Sequence, residues 1–142
     1  MTPLLVAAVA AIAGVGAFKS WRGASFAALF PALSLSLVLA FIVFNKVGSP
    51  QYLTWLIAPM VLGIVIDRRR WWPVAAVALL AALLTQLVYP IMYGLLLVQD
   101  PRAAAVLTAR NVVMVVLLAW AIVRLARLPH RTRHPVIDRS AH

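Results

Sequence analysis

The chain has 142 residues, 65% of them hydrophobic, and a formal net charge of +10 from 13 Lys and Arg against three acids. With a mean hydropathy of +1.00 and long apolar stretches recurring along its length, it reads as an all-α protein, a polytopic transmembrane helical bundle, and not as a soluble domain. Cysteine is absent, which excludes disulfides, thiolate metal sites and cysteine nucleophiles. The acids are Asp67, Asp100 and Asp138, and the histidines His130, His134 and His142 all lie near the C-terminus, so neither a metal site nor a cofactor is expected. In a soluble protein such a charge would point to nucleic acid. Here the basic residues border the apolar stretches, where topology and anionic headgroups account for them, and no nucleic-acid partner is expected.

A spanning helix takes roughly 20 apolar residues, which predicts about five spans: Pro3 to Phe18, Ala24 to Phe44, Tyr52 to Ile66, Trp71 to Val98 and Ala103 to Val123. Together they make one transmembrane domain over residues 1–124, followed by a basic tail, 125–142, that Pro129 and Pro135 interrupt and that is expected to be disordered against anionic lipid. The first span starts almost at Met1, and Met1-Thr2-Pro3 supplies no charged leader. A chain of that form is expected of the later portion of a longer membrane protein. The first and third spans are short, so one of them is expected to be tilted less, to be re-entrant or to sit where the bilayer thins.

Between the second and third spans, Asn45-Lys46-Val47-Gly48-Ser49-Pro50-Gln51-Tyr52-Leu53-Thr54-Trp55 interrupts the apolar pattern with an amide, a cation, a Gly-Pro break and further hydrogen-bonding side chains. A bilayer tolerates irregular polar backbone only where protein or a water-filled cavity satisfies it. Gly48, Ser49 and Pro50 are ordinary turn residues. Yet Lys46, Ser49, Gln51 and Tyr52 concentrate donors beside a helix start that Pro50 suits and whose free N–H groups favour an anion.

The fourth span is overlong and contains Pro90, which predicts a kink or a strong tilt. Within it Gln86, Tyr89 and Tyr93 follow helical spacing and are expected on one face. Counting about 1.5 Å per residue from Trp71 puts Gln86 roughly 22 Å along the helix. On the fifth span, starting the helix after Arg110 and Asn111 would leave too few residues to cross, so both are expected within the membrane. There Arg110 either snorkels to headgroups or grips a lipid phosphate with its planar fork of donors.

With five alternating spans, Lys19, Arg22, Arg68 to Arg70, Arg124, Arg127, Arg131, Arg133 and Arg139 share one side, leaving Lys46, Arg102 and Arg110 opposite. The side richer in Lys and Arg is cytoplasmic. The N-terminus and the Asn45 to Gln51 loop are therefore expected outside, the C-terminus in the cytoplasm, and the protein in the inner (plasma) membrane. Trp21, Trp71 and Trp72 are expected as interfacial anchors on the inner face, with Tyr52 and Trp55 marking the outer one.

The run Phe44-Asn45-Lys46-Val47-Gly48-Ser49-Pro50-Gln51-Tyr52-Leu53-Thr54-Trp55-Leu56 resembles a block in the later transmembrane part of GT-C superfamily glycosyltransferases. It looks closest to actinobacterial polyprenol-phosphate-mannose-dependent mannosyltransferases. The resemblance implies transfer of a sugar, mannose by expectation, from a polyprenyl-phosphate-linked donor to an acceptor at the outer face. By the same resemblance Lys46, Ser49, Gln51 and Tyr52 would lie near the donor's phosphate and lipid, with Asn45 shaping the loop. Arg110 joins this donor-binding set, and Gln86, Tyr89, Tyr93 and Asn111 form a supporting polar cluster.

In that family the acid that deprotonates the acceptor belongs to an early outer loop, and nothing here matches it. General-base work needs a carboxylate or equivalent within hydrogen-bond reach. The only outward acid is Asp100, a weak catalytic candidate whose neighbours Pro101 and Arg102 point instead to a turn between helices. The chain is thus expected to be the donor-binding portion of a mannosyltransferase, incomplete alone, either acting with a partner chain that supplies the catalytic part or surviving as a truncated gene product. The alternative is a non-enzymatic membrane protein, a lipid-binding accessory subunit or a small carrier.

Overall fold

The computed structural model describes residues 3–45 and 50–129, and these contain helices and turns without a strand. The elements are α1 (Pro3–Trp21), α2 (Phe26–Phe44), a 3₁₀ segment (Pro50–Leu56), α3 (Ile57–Gln86), a π turn (Leu87–Ile91), a short α4 (Tyr93–Leu97) and α5 (Pro101–Ala126). Among the described residues four helical stretches are long and apolar enough to cross a membrane: α1, α2, Gln51–Tyr89 and α5. Lys46 and Ser49 lie outside the described residues, as does the tail from residue 130 onward.

The expected span Tyr52 to Ile66 and the greater part of Trp71 to Val98 fall in this third stretch, which breaks at Asp67 with φ −147° and ψ 73°. Residues eight apart in a straight helix are separated by roughly 12 Å. Instead the Trp71 indole lies so close to Gly63 that a Cβ built on the glycine would fall within the ring. The chain therefore folds back on itself at Asp67, and Met60 and Ile64 share a groove with Trp72, Ala75 and Leu79. Glycine is required at residue 63 because only a missing side chain admits the indole.

At its far end α3 stops at Gln86, short of the expected Val98. The cause is local. A proline disfavours the α region for the residue before it, and Tyr89, preceding Pro90, is extended at φ −118° and ψ 119°. The predicted kink is thus a full interruption, after which α4 adds one more turn and a half before the chain enters α5. There Asp100 caps the helix, its side chain accepting the Arg102 backbone N–H at 2.8 Å, with Pro101 in the first turn where a missing N–H costs nothing.

Helix α2 is the centre of the bundle, packed against α1, α3 and α5. Ala32, Leu35, Ser36, Leu39 and Ala40 repeat at helical spacing and are fully buried. Its hydroxyls are satisfied within the helix: Ser36 donates to the Ala32 carbonyl at 2.7 Å and Ser34 to the Phe30 carbonyl at 2.8 Å. Such back-bonding leaves no bare polar group in an apolar medium.

The described cations separate by end. Lys19 Nζ donates to the Leu128 carbonyl at 3.2 Å, tying the end of α1 to the end of α5. Arg124 reaches Asp67 at 3.5 Å and Arg70 reaches it at 3.6 Å, so the α3 break lies at this same end. Trp71 departs from the anchoring role expected of it. It is only 2% exposed, set edge-on to Trp120 with ring centroids 5.6 Å apart, because the fold-back at Asp67 turns it into the bundle. Trp21 and Trp72 are exposed.

Candidate functional site

At the opposite end, the close of α2, the π turn and the first half of α5 enclose a cavity of about 360 Å³. Asn45, Tyr89, Arg110 and Asn111 supply its polar wall, and Ile42 and Met114 are among its apolar residues. Each polar residue has a separate structural reason to be there. Asn45 ends α2 in an extended conformation, its N–H still bonded to the Phe41 carbonyl at 3.0 Å. Tyr89 is turned by the interruption before Pro90. Arg110 is nine residues beyond Pro101, or roughly 13 Å along the α5 axis.

Arg110 decides the electrostatics. The residue is 5% exposed, and its Nε–H donates to Thr85 Oγ1 at 2.9 Å while Nη1 reaches Asn111 Oδ1 at 3.4 Å. Thr85 is itself buried and passes its own proton to the Ala81 carbonyl at 2.8 Å. The hydroxyl oxygen is therefore committed as an acceptor toward the guanidinium, which fixes its plane. Among the described residues Arg110 makes no ion pair; the ion pairs there both belong to Asp67 at the other end. The side chain turns inward to Thr85 on α3 and is buried in the bundle.

Of the expected site residues, the fold brings Asn45, Tyr89, Arg110 and Asn111 to one cavity. Tyr93 is exposed but stacks on Tyr89 at 5.7 Å. Gln86 is exposed and away from the cavity. It was expected on one face with Tyr89 and Tyr93; those two stay stacked across the interruption, and Gln86 is not among the described residues lining the cavity. Gln51 is exposed, and Tyr52 packs with Phe41 and Trp55 in a ring cluster with centroids 5.1–5.7 Å apart. That cluster fastens the 3₁₀ segment to α2 and does not line the cavity. Asp100 is occupied as a helix cap. Lys46 and Ser49 lie outside the described residues.

Thr85, the acceptor for Arg110, is the side chain that sequence reasoning passed over. Its only sequence signal is a hydroxyl one residue before Gln86 in an otherwise apolar run, and its partner is 25 residues away. Chemically, the cavity offers a fixed cation, two amides and a phenol. None of the described residues lining it is a carboxylate or an imidazole. Among the described residues there is also no group of three His, Cys, Asp or Glu able to hold a metal ion. No protein-family model matches the chain, and neither a curated protein nor a solved structure matches it.

Proposed function

We propose that this membrane protein binds the phosphate of a polyprenyl-phosphate-linked lipid in the Arg110 cavity, as the donor-binding portion of a mannosyltransferase of the GT-C kind. One observation carries the binding role. A buried guanidinium within apolar helices demands a counter-charge, and none of the residues around Arg110 in the described structure supplies one. An anion from outside meets that demand, and a planar fork of N–H donors suits phosphate oxygens.

The orientation follows from charge. Lys19, Arg70, Arg124 and Arg127 gather at the end remote from Arg110, and the end richer in basic residues faces the cytoplasm. On that reading the chain crosses the plasma membrane five times, with the α3 break at the inner face and the cavity at the outer face. Asn45 begins the polar block that resembles the GT-C signature, and it lines the cavity.

Sugar transfer itself needs a base at the acceptor hydroxyl, and among the described residues the cavity wall contains no carboxylate or imidazole. The same fact supports the second reading, a lipid-binding accessory subunit or small carrier. Both share the phosphate site, and on the first a partner chain supplies the acid. The experiment is photocrosslinking of the full chain in membranes with a photoactivatable polyprenyl phosphate. Label concentrated in peptides from the π turn and the first half of α5 supports the proposal. Label spread evenly over the lipid-facing helices contradicts it.

A further inference from the structure

The basic end of the bundle carries a second cavity, of about 340 Å³, lined by Arg70, Trp120, Arg124, Arg127 and Leu128 among others. We infer that it binds the phosphate of an anionic glycerophospholipid, independently of the Arg110 cavity. Arg110 and Arg124 are 14 residues apart on α5, roughly 21 Å along the axis, so one headgroup cannot occupy both.

The argument begins with Arg124, which the fold holds in place. Its guanidinium carbon lies 5.4 Å from the Trp71 ring centroid and 5.5 Å from that of Trp120. Its Nη2 reaches Asp67 Oδ2 at 3.5 Å, and Arg70 Nε reaches the same oxygen at 3.6 Å. Both separations are long for charge-assisted hydrogen bonds, which run near 2.7–2.9 Å, so one carboxylate oxygen serves two cations poorly. Arg127 makes no ion pair among the described residues. Among the described residues, three guanidinium groups against one carboxylate leave an excess of two positive charges around the cavity.

The C-terminus of α5 opposes an anion with about half a negative charge. That is smaller than the excess, and Lys19 already covers the Leu128 carbonyl. Trp120 and Leu128 give the cavity an apolar wall beside the charges. Such a pairing fits a lipid whose phosphate meets arginine while its glycerol and upper acyl carbons lie on indole and leucine. Free phosphate shares the charge chemistry but gains nothing from the apolar wall.

The test is native mass spectrometry of the full chain released from detergent, with phosphatidylglycerol, phosphatidylcholine and inorganic phosphate offered separately. Phosphatidylglycerol is expected to be retained at least fivefold over phosphatidylcholine. Arg127→Gln, and more so R70Q/R127Q, should reduce retention about tenfold, while Arg102→Gln, at the other end, should not. Adducts of inorganic phosphate with the same variant dependence, and no lipid retention, would keep the phosphate chemistry but overturn the lipid source. Equal retention of both lipids, or loss of phosphatidylglycerol in Arg102→Gln as large as in R70Q/R127Q, would overturn the inference. Because Arg110 takes no part, an Arg110 variant that loses polyprenyl phosphate and keeps phosphatidylglycerol separates this site from the other.

Discussion

Arg110 and Thr85 are joined by an Nε–H···Oγ1 hydrogen bond of 2.9 Å between two buried side chains on different helices. The bond links α5 to α3 and sets the direction in which the remaining guanidinium donors point. Thr85→Val keeps the shape and removes the acceptor, leaving a charged donor buried without its partner. Such losses cost about 1–3 kcal/mol. The expected outcome is a lower thermal midpoint in detergent together with weaker binding of polyprenyl phosphate. Thr85→Ser, which retains the hydroxyl, should restore both.

Gly63 and Trp71 test the fold-back at Asp67. A methyl group at residue 63 would enter the fused edge of the indole, and neither the helix backbone nor a buried ring can yield cheaply. Overpacking of this kind destabilises by about 1–3 kcal/mol. Gly63→Ala is therefore expected to lower the midpoint of unfolding, whereas Gly14→Ala, where a new Cβ meets nothing within 4 Å, should not lower it and should raise it slightly, alanine being the better helix former. Equal midpoints for the two variants would mean that Trp71 is not seated on Gly63.

These two pairs also show where sequence reasoning reached and where it stopped. Apolar runs, Pro90 and the Asp100-Pro101 turn mark the helices and their ends, because span length and capping are local properties. That Arg110 lies inside α5, and not before its start, followed from the length that a spanning helix needs. Burial of Trp71, by contrast, depends on Gly63 across a reversal, and an indole beside arginines reads equally well as an interfacial anchor. Helical spacing grouped Gln86 with Tyr89 and Tyr93 on the premise of an unbroken helix, and the extended backbone at Tyr89 interrupts it. Thr85 acquires its role only from a residue on another helix. Nothing in its own neighbourhood announces that.

Asp100 separates capping from catalysis. Its carboxylate accepts the Arg102 N–H, and loss of such a cap costs about 1 kcal/mol. Asp100→Ala should lower stability by that order and leave polyprenyl phosphate binding intact. Membranes containing only this chain should not transfer mannose from radiolabelled polyprenyl-phosphate-mannose. Robust transfer abolished by Asp100→Ala would show that the chain is a complete enzyme with Asp100 as its base.

The most direct test is equilibrium binding of polyprenyl phosphate to the full chain in nanodiscs, wild type against Arg110→Gln and Arg110→Lys. Charge-assisted hydrogen bonds contribute about 1.5–3 kcal/mol each, and every 1.4 kcal/mol is a factor of about ten. Arg110→Gln is expected to weaken binding at least tenfold, and Arg110→Lys, which keeps the charge but not the planar fork, by an intermediate amount. Unchanged affinity in a folded Arg110→Gln protein would contradict the phosphate site.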